Sequence, residues 1–97
     1  MIHVKRLEMV VDAPYSEHVT RILDHHGVEG WTLVRGASGS GERGERLGDE
    51  ITGVSNNHLI LSTCVPDKLD ALVADLRQAL ERFGGICLVS DASSILH

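Results

Sequence analysis

Aromatic residues are almost missing from this chain, with one Trp, one Tyr and one Phe among 97 residues. A small domain with so few rings gains from burying further surface in an oligomer. Positive charge is also scarce: nine Lys and Arg against fourteen Asp and Glu leave a formal net charge of −5. That balance argues against general nucleic-acid binding, which needs a basic face. No apolar run is long enough to span a bilayer. The opening Met1-Ile2-His3-Val4-Lys5-Arg6 has neither an h-region nor a cleavage site, which reads as cytosolic. Only two cysteines occur, Cys64 and Cys87, both inside apolar runs and far from a CxxC spacing. In a reducing compartment they read as small buried hydrophobes, with a disulfide or redox pair as the other reading.

The chain length suits one domain, residues 1–97, with a single two-layer core. Val4 to Val11 predicts a strand, with Leu7, Met9 and Val11 on one face and Arg6 breaking the alternation. Pro14 can open a helix in which Tyr15, Val19, Ile22 and Leu23 share a face, and Gly27 closes it. Trp31 to Arg35 predicts a second strand. Asn57 to Val65 predicts a third, apolar on both faces and therefore central. After Pro66, the positions Leu69, Leu72, Val73, Leu76, Leu80 and Phe83 form the clearest helical stripe in the sequence. Asp67 suits its N-cap, and Gly84-Gly85 end it. Ile86 to Val89 predicts a short fourth strand, with Ser90 to His97 as a polar tail and Asp91 to Ser94 as a turn. The order predicts an α+β, ferredoxin-like βαββαβ plan: an antiparallel four-stranded sheet with two helices on one face. The other sheet face stays bare and is expected to meet copies of the same chain.

Glycine is unevenly spread. Seven of the ten fall between Gly30 and Gly53, and no apolar residue lies between Ala37 and Leu47. A loop of this length, about 37–54, is expected to be functional and to order on a ligand or partner. Glycine amides together with Ser38, Ser40, Arg43 and Arg46 can hold anions, because arginine offers a forked set of donors. The alternative is a solvated loop kept soluble by its Glu-Arg pairs. The loop holds Glu42, Glu45, Asp49 and Glu50 against two arginines, so any anion site must be local.

Other chemical signals are weak. Gly39-Ser40-Gly41-Glu42-Arg43-Gly44 matches GxGxxG but opens no helix, so it fails as a dinucleotide fingerprint. Six histidines occur without ligand spacing, which leaves no metal site to expect. No catalytic grouping of Ser, His, Asp or Cys is visible, and the chain does not read as an enzyme.

Three motifs carry a resemblance: Gly30-Trp31-Thr32 leading into the glycine loop, Val65-Pro66-Asp67 opening the second helix, and Gly84-Gly85-Ile86 opening the last strand. Together they resemble the PII signalling family over nearly the whole chain. The loop from Ser38 to Arg46 is most similar to the PII-like branch associated with carboxysomes and bicarbonate transport. The resemblance implies a homotrimer that binds adenine nucleotide in clefts between neighbours. It implies nucleotide contacts at Gly30, Trp31, Thr32, Ser62, Thr63, Cys64, Gly84 and Gly85. It also implies phosphate or bicarbonate contacts at the loop base, Ser38, Gly39, Ser40, Gly41, Arg43 and Arg46. The long loop would be the T-loop, meeting a target protein such as a bicarbonate transporter or carboxysome component.

The sequence departs from that pattern where the family grips phosphate. Ile86 stands where the family has a lysine after the glycine turn, and the C-terminal arginines are absent. Loss of those cations is expected to favour ADP or AMP over ATP. No tyrosine occurs in the loop; the only one is Tyr15. Three rival expectations stand beside this one. They are slow, apyrase-like nucleotide hydrolysis using Glu42 or Glu45, a trimeric metal-tolerance module of the same plan, and an oligomer without a ligand.

Overall fold

The computed structural model describes residues 1–37 and 56–95. Its elements run β1 (Ile2–Asp12), α1 (Ala13–His25), β2 (Trp31–Ala37), β3 (Asn57–Cys64), a 3-10 turn (Pro66–Lys68), α2 (Leu69–Phe83) and β4 (Ile86–Ser94). The strands form one antiparallel sheet in the order β2-β3-β1-β4. This is the expected ferredoxin-like plan, with β3 inside the sheet as its two apolar faces required.

The core lies between the sheet and the helices. Leu7, Met9 and Val11 of β1 point there with Ile60 and Cys64 of β3, and they meet Val19 and Leu23 of α1 and Leu72 and Leu76 of α2. Each fully buried aliphatic side chain contributes about 1.5–3 kcal/mol relative to exposure. The buried face of α1 also holds Ser16 and Thr20. Their hydroxyls donate to the carbonyls of Ala13 and Glu17 at 2.8 and 3.0 Å, so they enter the core already paired. His58 Nδ1 lies 3.1 Å from Ser16 Oγ. Because that hydroxyl donates to Ala13, the imidazole nitrogen is the donor to it.

Three local readings are corrected. Asp67 lies inside the 3-10 turn and caps nothing; α2 starts from Lys68, without a side-chain cap. Residues Ser90 to Ser94 are strand, not tail or turn. They pair along β1 from Arg6 to Ile2, with Asp91 Oδ1 accepting from Lys5 Nζ at 2.5 Å. Strand β2 runs past Arg35 to Ala37 through a register shift at Gly36, whose φ of 74° suits a glycine bulge.

Candidate functional site

The turn between α1 and β2 is tied down by side chains from three elements. Gly27 sits just beyond the C-cap of α1 at φ 69°, and its carbonyl accepts from Lys68 Nζ at 2.8 Å. His26 Nε2 lies 2.7 Å from Asp75 Oδ2 of α2. Trp31 Nε1 donates to Asp24 Oδ1 at 2.9 Å, and Ser62 Oγ of β3 donates to the Gly30 carbonyl at 2.7 Å. These contacts fix where β2 begins.

A groove of about 480 Å³ opens there, lined by Arg6, Gly30, Trp31, Thr32, Leu61, Ser62 and Thr63. The sheet register explains its make-up. Thr32 pairs with Leu61 and Arg6 pairs with Thr63, so these four share the face away from the helices, while Trp31 and Ser62 pair on the other face, so the groove takes residues from both. Among the described residues strand β2 stands at an edge of the sheet, beside β3 alone. Gly30 has open space where a Cβ would stand. Among the described residues such a groove offers an apolar floor, hydroxyls, strand backbone and one cation.

Of the nucleotide residues expected from the sequence, Gly30, Trp31, Thr32, Ser62 and Thr63 line this groove together. Cys64 does not line it: its side chain belongs to the core. Gly84 and Gly85 lie elsewhere, at the start of β4 on the opposite edge of the sheet, beside the Val10 end of β1. Both have positive φ, 78° and 107°. A Cβ on Gly85 would stand 2.7 Å from the Val10 carbonyl, so the fold itself requires that glycine. The expected anion contacts Ser38, Gly39, Ser40, Gly41, Arg43 and Arg46 lie outside the described residues, as does the expected loop apart from its first residue, Ala37, which belongs to β2.

Arg6 was missed as a site residue, although the break it makes in the β1 alternation was visible. Its guanidinium pairs with Glu8, two residues on and on the same face. Burial pushes the Cys64 and Cys87 thiols up from their ordinary value, which disfavours nucleophilic thiolate. No group of three or more metal-ligating side chains occurs among the described residues. No described helix is long and apolar enough to cross a membrane.

Comparison with known proteins adds three findings. The family model "Nitrogen regulatory protein P-II" matches residues 4–96. Solved structures share the fold. A nitrogen regulatory PII-like protein, CPII from Thiomonas intermedia K12, bound to ADP and bicarbonate, is 26% identical. Its TM-score is 0.78, with 94% of this chain and 87% of that chain covered. The same protein bound to ADP, AMP and bicarbonate is 24% identical with a TM-score of 0.79, covering 94% of this chain and 93% of that one. A putative PII-like signalling protein from Thermus thermophilus is 14% identical with a TM-score of 0.72, covering 94% and 87%. No curated protein sequence matches.

Proposed function

We propose that this chain, which belongs to the nitrogen regulatory protein P-II family, is a PII-like regulator that binds ADP or AMP together with bicarbonate. The observation that carries the reading is the groove, where Gly30, Trp31, Thr32, Ser62 and Thr63 come together at the open end of β2. That this fold is shared with a protein bound to ADP and bicarbonate supports the choice of ligands.

In this reading the adenine end of the nucleotide occupies the groove. Gly84 and Gly85 belong to the same site only if a second copy supplies them, since within one chain they stand across the sheet. A homotrimer joined through the open sheet face meets that need. Val34, Ile86 and Leu88 on that face are 45, 56 and 59% exposed, an apolar surface suited to a partner copy. Ser38, Gly39, Ser40, Gly41, Arg43 and Arg46 would hold phosphate and bicarbonate at the base of the T-loop. Ligand binding would change the affinity of that loop for a target protein in inorganic-carbon uptake, a bicarbonate transporter or a carboxysome component. The role is regulatory and cytoplasmic, and needs no turnover of the nucleotide.

Calorimetric titration with ADP and AMP, each with and without bicarbonate, tests the reading. Bicarbonate should tighten nucleotide binding about five-fold or more, and the coupling must be reciprocal. Nucleotide binding indifferent to bicarbonate would remove the anion from the proposal. No nucleotide binding would overturn it.

A further inference from the structure

We infer that Arg6 is a base-recognition residue of the groove, its guanidinium plane covering the purine ring while Glu8 holds it in place. The inference rests on the adenine-nucleotide reading above and assigns a role to a side chain outside that reading.

Three observations carry it. First, Arg6 is the only charged side chain among the described residues that line the groove, beside its cross-strand partner Thr63. Second, the floor around it is suited to a flat ring. Leu61, Thr63 and Thr32 share the Arg6 face and offer methyl groups on which a flat ring can rest. Third, Arg6 is already neutralised. Its pairing with Glu8 occupies the edge of the guanidinium and leaves its planar surface to stack.

A phosphate at Arg6 fits these facts less well. An anion there would have to displace Glu8 or lie beside its carboxylate, at a cost in repulsion. Planar cation–ring contacts of this kind are individually modest and strengthen as water is excluded from them.

The test measures binding of adenosine, AMP and ADP to the full chain and to two variants, Arg6→Gln and Arg6→Lys, by calorimetry. Arg6 is exposed, so both variants should keep the wild-type melting temperature to within a few degrees. Stacking on the base predicts that Arg6→Gln weakens all three ligands by a similar factor, about five-fold. Arg6→Lys keeps the charge but not the plane, and it should restore little of the loss. A phosphate contact predicts the reverse: adenosine unchanged, ADP weakened most, and Lys restoring most of the binding. That pattern, or equal affinities in all three proteins, overturns the inference while leaving the nucleotide reading intact. Wild-type protein that binds none of the three ligands removes both.

Discussion

Leu7, Met9 and Val11 on one side of β1 are fully buried, whereas Arg6 and Glu8, on either side of Leu7, form an ion pair on the other side. The same division runs through most of the sheet, with Val4, buried on the Arg6 face, as an exception. Toward the helices, even the polar groups are settled: Ser16, Thr20 and Ser62 each donate to a backbone carbonyl. Away from the helices, Val34, Ile86 and Leu88 stand half-exposed on the face that holds that ion pair and the Thr32, Leu61 and Thr63 side of the groove. One face spends its residues on holding a single chain together. The other carries apolar surface that the single chain does not use, next to the groove. On the proposed reading this separates stability from assembly and binding, so changes on the two faces should have different signatures.

The largest expected effect lies on the helix side, at the close approach of Gly85 to β1. An alanine there brings Cβ to 2.7 Å from the Val10 carbonyl and 3.0 Å from Val11 Cγ1, at a φ of +107°. Gly85→Ala should cost about 3 kcal/mol of unfolding free energy, from overlap and backbone strain together. Gly36→Ala makes the control. Its φ is +74°, yet nothing lies within 4 Å of its Cβ, so it should cost only the αL penalty of about 1 kcal/mol. Urea unfolding of both variants checks the difference. Equal costs would show that conformation alone, and not packing against Val10 and Val11, sets the requirement at Gly85.

An intermediate effect is expected on the open face, and it should appear in assembly. Leu88 projects from β4 beside Glu8, far from the core. Leu88→Asp removes an apolar contact from the surface assigned to a second copy and places a charge there. Self-association should weaken by about thirty-fold, equivalent to about 2 kcal/mol. Sedimentation equilibrium measures this, and circular dichroism should still report the folded sheet. An unchanged oligomer would move the interface elsewhere and remove the reason for an apolar open face.

How far this division could be read in advance depended on how each residue advertises its face. The helical stripe from Leu69 to Phe83 and the two apolar faces of β3 carry periodicity, which burial alone explains, and the topology followed from them. Ser16 and Thr20 gave no such signal, because a hydroxyl that bonds back to its own helix enters a core without looking apolar. The second half of β4 was hidden for a related reason. Ser90 to Ser94 is polar, and its strand character comes from pairing with β1 rather than from propensity. At the candidate site, Gly30 to Thr32 and Ser62 to Thr63 were named from motif resemblance, and only the register shows why they meet. Arg6 looked like a flaw in an alternating strand until Thr63 and Glu8 were found beside it on one face. Gly84 and Gly85 show the opposite case. Their motif was plain, but the chain by itself holds them across the sheet from the groove.

The smallest effect is expected at the far end of β1 and β4, where neither the core nor the groove is involved. Asp91 is exposed, accepts from Lys5 Nζ at 2.5 Å and lies 3.4 Å from His3 Nε2. The hydrogen bond and charge of Lys5, with a lesser contribution from His3, hold its carboxyl below the ordinary value of 3.8. A carboxyl with a depressed folded pKa binds its proton more readily in the unfolded chain. Its stabilisation is therefore present above the unfolded value and is lost as pH falls through the lower, folded one. Because the group is open to solvent, that contribution should be small and should shrink further with salt. Wild type and Asp91→Asn, melted in parallel, should differ slightly at neutral pH and converge below pH 3.8. A difference that persists unchanged into acid would mean that the strand end is held by its backbone ladder and that the Lys5–Asp91 pair contributes nothing to it.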